Sequence, residues 1–205
     1  MDGFDDIPET ALAWYRAGTG AALATVVETW GSAPRRVGSH LAISGAGEIA
    51  GSVSGGCVEG AVVLEALDAI EAGAPVMLDY GVSDGDAFAV GLACGGTIRV
   101  LVEPVGSVLP EAVLADLVTA RAARQPVAYV SGPDGRRLER AGHAERFRSD
   151  RSGLMEDGET FVTIHNPPLR LVIVGAVHIA QALVPMARIG RHWSRCAHGA
   201  GAAHP

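Results

Sequence analysis

The chain has 205 residues and a formal net charge of −7, an acidic balance that excludes a general nucleic-acid binder. No apolar run reaches the roughly 18 residues needed to span a membrane. Hydrophobic residues make up 48% and aromatics 5%, so a core can be buried and small aliphatic side chains must build it. Glycine supplies 27 residues, well above the roughly 7% usual in proteins. Met1-Asp2-Gly3-Phe4-Asp5-Asp6 has neither the basic stretch nor the apolar run of a signal peptide. Three cysteines, an odd number, then point to a reducing cytoplasm, where thiols serve reactivity, metal binding or packing.

The first helix is expected from Asp6, with Pro8 in its first turn and Glu9 at capping-box spacing, to about Ala17. Residues 21–29 read as an apolar strand, broken by the loop Gly31-Ser32-Ala33-Pro34-Arg35-Arg36. Residues 39–44 and 48–53 form a hairpin around Gly45-Ala46-Gly47. After Ser54-Gly55-Gly56-Cys57-Val58-Glu59 a helix runs to about Ala72, with Val63, Leu67 and Ile70 on its apolar face. A strand at 75–80, a loop at 81–93 holding Asp84 and Asp86, and Cys94-Gly95-Gly96 lead into a branched strand at 97–102. A helix at 110–124 and a strand at 127–131 complete a domain spanning 1–131. Residues 132–168 read as a polar, arginine-rich hairpin or linker, with a strand at 161–165 near its end. Leu171-Val172-Ile173-Val174 is a buried parallel strand by composition. Gly175 and the helix to about Arg188 follow it as in the opening of a dinucleotide-binding fold. That unit, 169–190, looks incomplete, because 191–205 carries no strand pattern.

The chemistry concentrates at the cysteines. Gly55 and Gly56 place Cys57 at a helix N-terminus, where free N–H groups and the helix dipole favour an anion. A thiolate is such an anion, so Cys57 is expected to have a lowered pKa and to act as a soft ligand or nucleophile. The same N–H groups could instead cradle a phosphate or a pterin. Cys94, followed by Gly95 and Gly96, repeats the chemistry at a loop-to-strand junction and can meet Cys57 only through the fold. No CxxC pair is present, so a structural zinc site is not expected. Arg35 suits a phosphate fork. Glu59 either offsets the helix dipole or hydrogen-bonds a ligand. Val177 stands where a dinucleotide fingerprint needs glycine, which argues against pyrophosphate binding near His178.

Three stretches together resemble the XdhC/CoxI family, accessory proteins of molybdenum hydroxylases. They are Glu28-Thr29-Trp30-Gly31-Ser32-Ala33-Pro34-Arg35, Gly51-Ser52-Val53-Ser54-Gly55-Gly56-Cys57-Val58-Glu59 and Gly91-Leu92-Ala93-Cys94-Gly95-Gly96. Residues 168–176 are similar to the start of that family's C-terminal Rossmann domain. The resemblance implies an α/β fold: an N-terminal mixed α/β domain followed by an incomplete Rossmann-like βα unit, with the last 15 or so residues a truncated or frameshifted end. It also implies a cytoplasmic chaperone, not an enzyme, that binds molybdenum cofactor (molybdopterin or a nucleotide variant). Such a chaperone delivers the cofactor to an apo molybdenum hydroxylase of xanthine dehydrogenase or CO dehydrogenase type and supports its sulfuration. The partners it implies are that hydroxylase, a cysteine desulfurase and a second copy in a homodimer, with no nucleic acid and no membrane. Cys57 and Cys94 would be the metal donors. Ser54, Gly55, Gly56, Glu59, Gly95, Gly96 and Arg35 would complete the cofactor site. A thiol-dependent enzyme using Cys57 and an NAD(P)-binding oxidoreductase stand as alternatives.

Overall fold

Small aliphatic residues on both faces of one strand organise the larger part of the molecule. The computed structural model describes residues 6–81, 95–168, 170–174, 178–189 and 193–197. Strand β1 (Ala21–Trp30) lies between β2 (His40–Ser44) and β5 (Thr97–Pro104). Adding β3 (Ile49–Gly51) and β4 (Val76–Tyr80) gives a five-stranded antiparallel sheet in the order β3-β2-β1-β5-β4. Ala22, Ala24 and Val26 face helix α2 (Glu59–Ala72), and Ala21 and Leu23 face helices α1 (Ile7–Arg16) and α3 (Glu111–Ala122). Alternation of this kind is what a strand covered on both faces requires.

Two helices differ in detail from the sequence expectation. In α2 the buried stripe is Val62, Ala66 and Ala69, with Val63 and Ile70 at its margin. Alanines let the helix approach the sheet closely, so the larger residues flank the contact line. In α1, Asp6 makes no side-chain cap, and Glu9 pairs with Arg121 at 2.7 Å instead of closing a capping box.

The stretch 132–168, expected to be a polar hairpin or linker, contributes a hairpin strand to a sheet and further elements. It supplies β7 (Gly135–Glu139), α4 (Ala144–Ser149), β8 (Gly153–Leu154) and β9 (Phe161–His165). With β6 (Val127–Gly132) these strands make an antiparallel sheet in the order β7-β6-β9-β8. Arg137, Arg140, Arg148 and Arg151 are exposed as expected, but two arginines of the stretch turn inward. Arg136 donates to the fully buried Glu103 at 2.6 Å, beside Ser131 at 2.7 Å and Tyr129 at 3.0 Å. Arg146 donates to the carbonyls of Gly153 and Leu154. Polar side chains thus close this sheet, and a hydropathy pattern cannot show that.

Residues 1–165 form one compact unit and 166–205 a second. In the second, β10 (Arg170–Val174) pairs in parallel with β11 (Trp193–Ala197), and α5 (His178–Ile189) connects them. The tail expected to be unpatterned therefore contains a strand. Its Ser194 and Arg195 interrupt the apolar run that marks a buried parallel strand, so composition hid it. The turn 175–177, on which the dinucleotide comparison turned, lies outside the described residues.

His40 and His165 stack in the interior of the first unit, ring centroids 5.3 Å apart. Thr25 Oγ1 meets His40 Nδ1 at 3.0 Å, and neither Nε2 has a partner among the described residues. Burial, then the nearby Arg121 charge, pushes His40 down to about 4. Burial, then His40 and Arg121, pushes His165 well below the usual histidine value. Both rings are neutral in the fold, whereas an unfolded histidine takes a proton below about pH 6.5. The unfolded state therefore binds more protons, and stability is present above pH 6.5 and lost as pH falls toward 4. Denaturant unfolding between pH 7 and pH 5 should show a loss of about 1 kcal/mol per pH unit for each histidine. His40→Asn/His165→Asn should flatten that slope; an unchanged slope would refute the assignment.

Candidate functional site

Helix α2 begins at Glu59, with Val58 as its N-cap and Cys57 one residue earlier. The Glu59 side chain turns back over the preceding loop. Its Oε1 accepts from Ser52 Oγ at 2.6 Å, Ser54 N at 2.9 Å and Val53 N at 3.2 Å. Its Oε2 accepts from Gly56 N at 2.9 Å and from the Ser54 hydroxyl. Ser52 Oγ accepts from Gly55 N at 2.8 Å, and Ser54 Oγ accepts from Val58 N at 2.9 Å. Burial alone would push the Glu59 carboxyl up. Hydrogen bonds from Ser52 and Ser54 outweigh it and hold the carboxyl down at about 2.

This geometry gives several expected ligand contacts a different task. The loop N–H groups that could have cradled a phosphate point inward, and the protein's own carboxylate fills the nest. Ser54 is fully buried and Glu59 nearly so. Both are bonded within the loop and build it. Gly55 and Gly56 have φ of +78° and +107°, the left-handed backbone that lets the N–H groups converge on Glu59. What the loop turns outward is Cys57, an exposed free thiol.

The loop after β1 joins the cysteine motifs. A Cβ on Gly96 would lie 2.9 Å from the Trp30 carbonyl oxygen and 3.1 Å from Ala33 N, so the two backbones touch there. Pro34 packs 3.6 Å from the Cβ position of Gly55, and Arg35 Nε donates to the Ser52 carbonyl at 3.1 Å. The first two stretches and Gly96 of the third thus meet around residues 30–36. Gly96 is a buried spacer in this contact, and Gly95 is exposed. Trp30, at the end of β1, is 77% exposed. Cys94 and the Asp84 and Asp86 loop lie outside the described residues. Among the described residues no group of three or more His, Cys, Asp or Glu side chains is placed to hold a metal ion. No helix among them is long and apolar enough to cross a membrane.

Sequence reasoning did not single out Ser52 or Pro34. Ser52 carried a usable signal: two serines one residue apart, upstream of a helix-opening glutamate, are the donors a buried carboxylate needs. Pro34 carried none, because its contact depends on where the loop lands.

The fold and loop cluster define a mixed α/β protein that presents a thiol. Residues 14–81 match the model of the XdhC and CoxI family, and with the 171-residue similarity to a curated relative this match places the chain in that family. It is 32% identical over 171 residues to the molybdenum cofactor insertion chaperone PaoD of Escherichia coli, covering 83% of this chain and 50% of PaoD. It is 33% identical over 85 residues to the uncharacterized protein YqeB of the same organism, covering 42% of this chain and 16% of YqeB. A crystal structure described as a xanthine dehydrogenase from Bacillus halodurans shares the fold, with a TM-score of 0.68 and 24% identity over 92% of this chain and 61% of that one. The chain thus spans half the length of PaoD and less of YqeB.

Glu59→Gln places an amide N–H₂ among donors that need an acceptor. It should destabilise the fold by about 3 kcal/mol and speed hydrogen exchange at the Gly56 N–H. Wild-type exchange at Gly56 in a folded variant would show that the carboxylate does not hold the loop. The folded carboxyl, near 2, lies below its ordinary 4.5, so this support is full above pH 4.5 and fades as pH falls toward 2. Gly96→Ala should also destabilise, by about 2 kcal/mol, because backbone atoms and not a flexible side chain oppose the new methyl. Denaturant midpoints measure both effects.

Proposed function

We propose that this chain is an accessory protein that carries molybdenum cofactor to an apo molybdenum hydroxylase. The observation that carries the reading is the exposed Cys57 thiol, raised on a loop that the protein holds by its own carboxylate, in a chain related to PaoD. A thiolate is a soft donor and suits a molybdenum centre. A metal that arrives with its own ligands needs only one or two protein donors. Cys57 is the first of these, and Cys94, beside Gly95, is the second. The role is that of a chaperone and not of an enzyme: the chain binds, shields and releases, supports sulfuration with a cysteine desulfurase, and acts as a homodimer in the cytoplasm. The cargo supplies the redox and oxo-transfer chemistry, which takes place in the hydroxylase.

Anaerobic purification should bring down molybdenum and pterin with the wild-type chain. Cys57→Ala should lower both at least about tenfold, the low end of what even outer-shell losses cost at metal sites. Metal analysis and pterin fluorescence check this. Equal amounts in the wild type and Cys57→Ala would defeat the proposal.

A further inference from the structure

We infer that Arg35 is the receptor for a phosphate group of the ligand whose metal rests at Cys57, which fixes the direction in which the cargo lies. The identity of the cargo rests on the cofactor reading above; the anion site is defined by this chain alone.

A helix N-terminus is the usual anion site. Here the N–H groups of Val53, Ser54 and Gly56 are bound to Glu59, and those of Gly55 and Val58 to serine hydroxyls. A phosphate entering that nest would meet a carboxylate held ionised. The inside of that nest is therefore closed to an anion, which leaves donors on the outer side of the loop.

Arg35 stands there. Its Nε donates to the Ser52 carbonyl at 3.1 Å, which pins the guanidinium to the Cys57 loop. Among the described residues its terminal nitrogens have no partner and no carboxylate pairs with it. Several other arginines pair with carboxylates, while Arg146, like Arg35, is bonded to backbone carbonyls. Arg36 reaches Asp150 at 3.1 Å, Arg99 reaches Asp79 at 2.7 Å, and Arg136 reaches Glu103 at 2.6 Å. Acidic residues outnumber basic ones 23 to 16 in this chain, so acidic side chains are not scarce. A half-buried guanidinium without a counter-ion is costly. Its planar fork, oriented by the bond at Nε, matches two oxygens of a phosphate.

The test uses the full-length apo chain with inorganic pyrophosphate as probe. Binding is followed by phosphorus NMR and by the rate of iodoacetamide modification at Cys57, mapped by mass spectrometry. Pyrophosphate should bind the wild type and slow modification of Cys57. Arg35→Gln should weaken binding at least about tenfold, and Arg35→Lys should fall between, because it keeps the charge and loses the fork. Arg36→Gln should bind as the wild type does. Thermal melts establish that each variant is folded, and Arg35→Lys carries the test if Arg35→Gln is not. Absence of pyrophosphate binding by the wild type would overturn the inference, as would undiminished binding by folded Arg35→Gln and Arg35→Lys. Pyrophosphate binding that depends on Arg35 in a chain that never co-purifies with molybdenum would uphold the anion site and defeat the cofactor reading. Molybdenum retained without Arg35-dependent pyrophosphate binding would do the reverse.

Discussion

The Glu59 carboxylate is the constraint on which the site depends. It sits on the first residue of α2 and accepts hydrogen bonds from the serines and backbone that precede it. An ion this buried is stable only when its oxygens are filled by donors. Here the donors come from the loop it must shape, so the loop has one conformation in which the charge is satisfied. That conformation needs left-handed backbone at Gly55 and Gly56, and it turns Cys57 outward. Loop shape, glycine usage and thiol exposure are consequences of a single buried charge.

The same device recurs at the second sheet. Glu103 is fully buried on β5 and accepts from Tyr129, Ser131 and Arg136 of β6 and β7. An apolar core built from alanine and valine offers little shape to fix the register of one sheet against another. A buried carboxylate with directional donors supplies it, because a slipped register would leave the charge unpaired. The His40–His165 stack joins β2 to β9 in a different way. It is neutral and only partly satisfied, so its contribution falls as acid charges the rings.

Local chemistry made part of this legible. The aliphatic runs of β1, β2 and β5 announce strands, and the paired glycines before Cys57 announce a constrained loop. The thiol could be singled out for that reason. The role of Glu59 could not, because it depends on a side chain folding back over its own loop; read in one dimension, the residue is a dipole-compensating acid. Residues 132–158 misled for a related reason. Arginine is counted as a surface residue, yet Arg136 and Arg146 satisfy buried or loop acceptors that only the fold creates. In α2 the helical period was legible, but the packed line shifted to Ala66 and Ala69, because close approach and not side-chain size sets the contact. Strand β11 was hidden because its partner β10, and not its own composition, makes it a strand.

A carrier must hold its cargo and also let it go, and in the proposed role the site's construction serves both demands. A closed metal site with three or four protein ligands would bind too firmly for transfer to a second protein. The Cys57 loop is held by internal hydrogen bonds at Val53, Ser54, Gly55, Gly56 and Val58, so release leaves those N–H groups paired. Loss of cargo costs the chain only the contacts made at its outer surface, at the thiol and at the neighbouring guanidinium. Holding the loop with an internal anion, in place of the ligand's own phosphate, separates the stability of the carrier from the occupancy of its site.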